Sequence, residues 1–196
     1  KRLIKKSHNF FEMIGVIGAG PVGAYTAEVL AKKGFDVNLY EEDKVIGKPV
    51  QCTGLLTKDF LKYFSQNELD NFVVNRIKKI RIVSENSFTI PVNEYIVDRT
   101  LFDSYLVQRA VDSNVKLFSH HKFIDADKNN MFFENGVKQR YEYLVGADGP
   151  RSKVAKSFDL FGERKFWMGM QAKVKFESNP DEYVVYFDQE KYPGFF

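Results

Sequence analysis

The sequence predicts an α/β fold, in which a βαβ unit starts a parallel sheet and an antiparallel β layer follows. Three observations predict it. The stretch "IGVIGAGPVGAYTAEVLAKKGFDVNLYEED", Ile14 to Asp43, holds an apolar run, glycines at G-x-G-x-x-G spacing, small residues at helical spacing and a second apolar run ending in acids. From "VNRIKKIRIVSENSFTIPVNEYIVD" onward the pattern changes to alternation without an intervening long helix. A second strand-turn-helix signal appears in "YLVGADGPRSKVAK", Tyr143 to Lys156.

Taken in order, Met13 to Gly18 reads as a buried strand and Pro21 to Lys33 as a helix. Gly23, Ala27, Leu30 and Ala31 share one face of that helix and permit close packing on a sheet. Gly34 closes it as a C-terminal cap, and "FDVNLYE" is the next strand, so strand, helix and strand make a parallel pair. "KVIGKPVQCTGLLT" is a loop with Gly47, Pro49 and Gly54 as breakers, and "TKDFLKYFSQNEL" is a short helix. The alternating stretch after it is a hairpin with a further strand. "DRTLFDSYLVQRAVDSN" is a helix with Thr100 and Asp103 as its capping pair. "VKLFSHHKFIDAD" is a strand, and "NNMFFENGVKQRYEYLVGAD" contains an Asn135-Gly136 turn of type I′. "PRSKVAKSF" is a short helix. "WMGMQAKVKFES" and "EYVVYFDQ" form a final antiparallel pair.

Composition limits the function. The 196 residues carry 29 basic and 26 acidic side chains, a net charge of +3, with no extended basic block, which argues against a nucleic-acid binder. "KRLIKKSH" is a basic tail, and no apolar h-region with a small-residue cleavage site follows it. No run of about 18 apolar residues occurs that would span a membrane. One cysteine, Cys52, excludes an internal disulfide framework and points to a reducing, cytoplasmic setting. His120 and His121 are adjacent and fall on opposite faces of a strand, so they do not suit one metal site, and no metal is expected.

The glycines have separate tasks. Gly18 permits a tight turn out of the strand, Gly20 lets the backbone approach a pyrophosphate, and Gly23 lets helix and strand pack closely. The helix N-terminus then offers N–H groups and partial positive charge to phosphates. Glu41 lies 18 residues after Gly23, at the end of the second strand, where a carboxylate accepts hydrogen bonds from ribose hydroxyls and repels a 2′-phosphate. The site therefore suits NAD or FAD better than NADP. Asp148 sits between glycines at the edge of a strand, where it either faces the ligand crevice or caps the following helix. Cys52 either takes part in redox chemistry or packs as a small thiol. Trp167, Tyr192, Phe195 and Phe196 either face an apolar substrate or fill a sheet core.

"VIGAGPVG…YEED", "DRTLFDSYL" and "YLVGADGPRSKVAK" together resemble FAD-dependent oxidoreductases of the p-hydroxybenzoate hydroxylase type, from Phe11 onward. The "GADGxxS" segment resembles their DG motif, which approaches FAD. Within that group, "GKPVQCTGLLT" and "YPGFF" resemble the Cys-containing loop and the Pro-Gly-aromatic segment of the geranylgeranyl reductase family. The resemblance implies a Rossmann-like FAD-binding domain over 11–73 and 98–165. It implies part of an antiparallel substrate-binding sheet over 74–97 and 166–196, with 1–10 as a basic tail. It implies that Gly18, Gly20, Gly23 and the Val22 backbone hold the FAD pyrophosphate and Glu41 the adenosine ribose. Cys52, Thr53 and Gly54 would lie along the flavin side, and Arg99 would reach the phosphate or ribityl region. The Phe123 backbone would meet the adenine, and Asp148 would sit beside the cofactor. Tyr192, Pro193, Gly194 and Phe195 would line an isoprenoid pocket.

Two departures stand out. The family loop is often Cys-x-x-Gly, and this chain reads Cys-Thr-Gly. The later Gly-Asp motif of the superfamily is absent, so the chain reads as most of an FAD domain plus the first strands of a substrate domain, incomplete at the C-terminus. The implied function is reduction of C=C bonds in prenyl chains. The alternatives are FAD-dependent monooxygenation of an aromatic substrate, or a non-catalytic FAD-binding module. The implied partners are a prenyl lipid or isoprenoid diphosphate and an electron donor, NAD(P)H or ferredoxin, with peripheral contact at a membrane.

Overall fold

The structure is a computed structural model that describes residues 13–188 and Glu190. It divides into two compact units, Lys1–Lys48 with Asp103–Glu163, and Pro49–Phe102 with Arg164–Phe196.

The first unit is built on a parallel sheet of β10 (Tyr143–Gly146), β1 (Met13–Ile17), β2 (Asp36–Tyr40) and β6 (Lys116–Phe118), in that spatial order. Ile14 lies opposite Val37 and Val16 opposite Leu39. β1 and β2 are buried along nearly their whole length, which is why they read as near-continuous apolar runs. The helix α1 (Pro21–Lys32) packs on β1 and β2. It ends where Gly34, at φ +92°, donates to the Ala31 carbonyl (2.8 Å) and Phe35 donates to that of Leu30 (3.3 Å), a left-handed C-terminal cap. The buried side of α1 is Gly23, Ala24, Ala27 and Glu28. That differs from the expected face, because Leu30 and Ala31 are only partly covered and a carboxylate takes part.

A second, antiparallel sheet of β7 (Phe123–Ala126), β8 (Asn130–Phe133) and β9 (Lys138–Arg140) belongs to the same unit. Ile17, Tyr40, Phe123, Met131, Phe133, Tyr141 and Val154 form its core with the parallel sheet. Fully burying side chains of this size is worth about 1.5–3 kcal/mol each. A Cβ on Gly15 would stand 2.7 Å from Met131 Cε, so the sheets approach closely there.

The expected single strand "VKLFSHHKFIDAD" is two strands in two sheets. His120 has φ +61°, a left-handed conformation that breaks the pleat between β6 and β7. The Asn135-Gly136 turn is not type I′, which needs positive φ at both residues. Gly136 alone is left-handed (φ +81°), and its N–H meets the Phe133 carbonyl at 3.0 Å.

Tyr40 gives a pH test of this core. Burial, with the charge of Asp36 adding to it, raises its pKa above the ordinary tyrosine value, and a hydrogen bond from Asn38 Nδ2 (3.1 Å) works the other way. A group whose pKa is raised on folding contributes stability below its unfolded pKa, about 10, and loses that contribution as pH rises toward the folded value. Chemical denaturation from pH 8 to 11 is expected to show a falling alkaline limb that Tyr40→Phe flattens. An unchanged slope would reject the assignment to Tyr40.

The second unit holds a mixed sheet ordered β11 (Glu182–Tyr186), β4 (Val73–Val83), β5 (Ser87–Val97), β3 (Leu55–Thr57). β4 and β5 form the expected hairpin, and β3 adds antiparallel to β5. Pro91 has no N–H to give the ladder. It lies opposite Lys79, where the register shifts after Ile77. The expected helix at 57–69 is a 3₁₀ turn, Lys58–Tyr63, and a one-turn helix α2, Gln66–Leu69. Phe64 is extended between them and Ser65 with Glu68 forms a capping box, so the chain restarts there. The Phe64 and Phe102 rings pack on Phe72, with centroids 5.2 and 5.0 Å away.

The helix α3 (Arg99–Asp112) begins in the second unit and continues in the first. Its cap is Asp98, not Thr100: Asp98 Oδ1 accepts from the Thr100 and Leu101 N–H groups at 2.9 and 3.2 Å. Thr100 is already helical, and Asp103 is buried.

The final antiparallel pair also differs from expectation. Residues 161–179 hold no strand, and β11 lies parallel to β4. A strand persists only as a paired element, and this segment has no ladder partner here. Among the described residues no helix is long and apolar enough to cross a membrane.

Candidate cofactor site

The C-terminal ends of β1, β2 and β10 converge on the glycine turn. The Gly18 N–H donates to the Tyr40 carbonyl (2.8 Å) and the Ala147 N–H to that of Ile17 (2.8 Å). Gly18 has φ +98°, and a Cβ there would lie 2.4 Å from the Ala147 carbonyl oxygen. A Cβ on Gly23 would lie 1.8 Å from the Gly18 carbonyl oxygen. Both glycines are demanded by the chain itself.

Gly20 differs. Its φ of −65° and ψ of 176° suit any residue, and a Cβ there would meet nothing within 4 Å. Neither backbone strain nor internal packing requires a glycine, while the position faces open space at the N-terminus of a 12-residue helix with Pro21 in its first turn. That is the cradle a pyrophosphate needs, with N–H groups and the positive end of the helix directed at it. The Val22 side chain points outward and is 73% exposed, so it leaves the turn open.

Glu41 reaches this turn directly. Its Oε2 accepts from the Ala19 N–H (2.8 Å) and its Oε1 from the Asp43 N–H (3.0 Å). The carboxylate thus fixes the turn and lies beside it. The segment after β6 is tied to the same residue: the Phe118 carbonyl accepts from the Glu41 N–H (3.0 Å), and the His121 N–H donates to the Glu41 carbonyl (2.8 Å). The sequence did not single out this segment as part of the site. The His121 ring packs on Phe118, Tyr40 and Phe133, with centroids 5.5 to 6.0 Å apart.

The Asp148 carboxylate braces the start of the next helix, whose N-cap is Ser152. It accepts from Ser152 Oγ (2.6 Å) and from the Lys153 and Val154 N–H groups (2.7 and 3.1 Å), at the start of α4 (Lys153–Ser157). Phe123 points its ring into the core, 6.2 Å from Phe133. Glycines 18, 20 and 23, Glu41, Phe123 and Asp148 lie in the first unit.

Cys52, Thr53, Gly54 and Arg99 belong to the second unit. Cys52 Sγ is half-buried and accepts from the Gly54 N–H at 3.4 Å. Gly54 has φ +76°, and a Cβ there would lie 2.2 Å from the Val97 carbonyl oxygen, so this glycine is required by its contact with β5. Thr53 is exposed, and Arg99 is half-buried as the first residue of α3. Tyr192, Pro193, Gly194 and Phe195 lie outside the described residues. Trp167 is exposed.

One buried feature escaped the sequence. Glu28 is 1% exposed, and its Oε1 accepts from Arg109 Nη2 (2.9 Å) and Nε (3.2 Å) and from Lys32 Nζ. This ion cluster ties α1, which presents the glycine turn, to α3. A Glu at that position reads as surface by type, and only the spacing Ala24, Ala27, Glu28 around the helix hints at its burial.

Residues 16–52 match a family described as an NAD(P)-binding Rossmann-like domain. The turn, the helix and the acid at the end of β2 thus define a Rossmann-like dinucleotide-binding fold. The chain is 27% identical over 193 residues to digeranylgeranylglycerophospholipid reductase 1 of Methanopyrus kandleri, covering 91% of this chain and 52% of that protein. It is 31% identical over 161 residues to a protein of the nifH2 5′ region of Methanosarcina barkeri, covering 74% of this chain and 86% of that one. In structure it resembles a geranylgeranyl bacteriochlorophyll reductase-like protein from Thermoplasma acidophilum, with a TM-score of 0.69, 20% identity and coverage of 90% of this chain and 50% of that one. The chain belongs to the geranylgeranyl reductase family. It spans about half the length of the Methanopyrus reductase it matches.

Proposed function

We propose that this chain binds FAD and serves an oxidoreductase that saturates C=C bonds in prenyl chains. The observation that carries the cofactor half is Gly20, kept without a side chain although nothing in the chain occupies the space. The substrate half rests on the relatives' names. When bound, the flavin supplies hydride transfer, which no side chain of the chain can perform. The chain's own residues do the rest. The Gly18–Gly23 turn and the α1 N-terminus hold the diphosphate, Glu41 accepts from ribose hydroxyls while holding Ala19, and its charge disfavours a 2′-phosphate. Cys52, Thr53, Gly54 and Arg99 are proposed for the flavin half, with Gly54 fixing the loop through β5. Tyr192, Pro193, Gly194 and Phe195 are proposed to line the prenyl site. A prenyl lipid or isoprenoid diphosphate is the proposed substrate, reached from the membrane surface, with NAD(P)H or ferredoxin as the reductant.

Equilibrium titration with FAD, NAD and NADP tests the cofactor. FAD is expected to bind most tightly, and Glu41→Ala to weaken it about tenfold, ~1.4 kcal/mol. Tighter binding of NADP would reject this reading. Anaerobic incubation of the reduced protein with a prenyl lipid is expected to add two hydrogens per double bond. Oxygen-dependent hydroxylation of an aromatic compound would overturn the reductase reading.

A further inference from the structure

The turn between β8 and β9 carries a reactive pair that the cofactor site does not use. Asn135 and Gly136 stand together at its tip, and both are exposed. Asn135 Oδ1 accepts from the Val137 N–H (3.1 Å), an Asx turn that folds the carboxamide over the peptide it precedes. Asn135 Nδ2 reaches the His120 carbonyl at 3.5 Å. Gly136 has no Cβ, and one built there would meet no atom within 4 Å, so nothing on that side shields its nitrogen.

This places an electrophile beside a nucleophile. Joining the Gly136 nitrogen to Asn135 Cγ closes a five-membered ring, and holding the two groups together removes most of the entropic cost of their meeting. Charge develops on Oδ1 as Cγ is attacked, and the Val137 N–H already donates to that oxygen. The Gly136 N–H donates to the Phe133 carbonyl (3.0 Å), and that bond must open first. It lies at an exposed turn, where opening is local and leaves the core in place.

We propose that Asn135 is a self-modification site, which forms a succinimide with Gly136 and opens to isoaspartate or aspartate. Solvent base takes the Gly136 amide proton, and the nitrogen's electron pair forms a bond to Asn135 Cγ. The Cγ–Nδ2 bond breaks, and Nδ2 takes a proton from water and leaves as ammonia. Water then adds to one of the two imide carbonyls. Opening at the backbone carbonyl gives isoaspartate, and opening at Cγ gives aspartate. One water is consumed, one ammonia is released, and nothing is oxidised or reduced.

The product alters more than the turn. Isoaspartate adds a backbone atom where Phe133 grips the turn from both sides, donating its N–H to the Val137 carbonyl (3.0 Å) and accepting from Gly136. Phe133 is 2% exposed and packs on the His121 ring. Both products also replace the amide donor at the His120 carbonyl with a carboxylate, which repels it. The strain therefore falls on the chain break at His120, next to the segment bonded to Glu41. The inference depends on no cofactor or substrate.

Timed mass analysis of the whole folded chain at mildly alkaline pH, with peptide mapping, tests it. Asn135 is expected to gain one dalton at least tenfold faster than Asn86 or Asn129, which precede Ser87 and Asn130. The product should accept a methyl group from a protein-isoaspartate methyltransferase. Asn135→Gln, whose ring would need six members, should remove the gain. The same chain unfolded in urea sets the rate of the local sequence alone, and the folded rate is expected within tenfold of it. A slower folded rate would show that the turn shields the amide and would overturn the proposal, as would equal rates at the three asparagines.

Discussion

Gly20→Ala is expected to weaken FAD binding about 100-fold, ~2.7 kcal/mol, while leaving the fold within about 1 kcal/mol of the parent. The two effects separate because the new methyl meets no protein atom within 4 Å and the backbone angles suit alanine. What it meets is the space through which the diphosphate would approach the turn. Gly23→Ala gives the opposite balance. Its methyl would lie 1.8 Å from the Gly18 carbonyl oxygen, so helix or turn must move, at about 1–3 kcal/mol as for overpacked cores. Thermal denaturation and flavin titration of the two variants check this. Equal affinity for FAD in Gly20→Ala and the parent would remove the turn from the cofactor site.

Arg109→Met is expected to destabilise the first unit by about 3 kcal/mol, because it strips a partner from a carboxylate on a residue only 1% exposed. Lys32 still reaches the same oxygen, and the Arg109 side chain is 21% exposed, so the lower end of the range for broken buried pairs applies. Glu28 Oε2 has no hydrogen-bond partner among the described residues, so only Lys32 then holds the carboxylate. The double variant Glu28→Leu, Arg109→Met removes both charges and should recover most of the loss. Urea unfolding of the single and double variants measures it. A double variant as unstable as the single one would show that packing, not the ion pair, dominates.

The βαβ unit was legible because its signals are local: glycine spacing, a terminal glycine cap and two runs of buried strand. The Glu41 position followed from the same short stretch. Long-range choices were not legible. "VKLFSHHKFIDAD" has one period throughout, yet it is divided between two sheets at His120, because a parallel partner for Lys116–Phe118 and an antiparallel partner for Phe123–Ala126 lie in different layers. The cap of α3 moved from Thr100 to Asp98, since both residue types cap helices and only the backbone decides between them. Asp148 was left open between ligand and cap, and its carboxylate makes three hydrogen bonds to the start of α4, whose N-cap is Ser152. The Glu28–Arg109 pair could not be read, as 81 residues separate its members.

The contrast among the three glycines also dates selection. In a descendant that had given up its cofactor, positions 18 and 23 would stay glycine, since the turn cannot close otherwise, while position 20 would be free to drift. On the proposed function, glycine at 20 would be held only while the site is used, and its loss in a related gene would mark retirement of the site before any collapse of the fold.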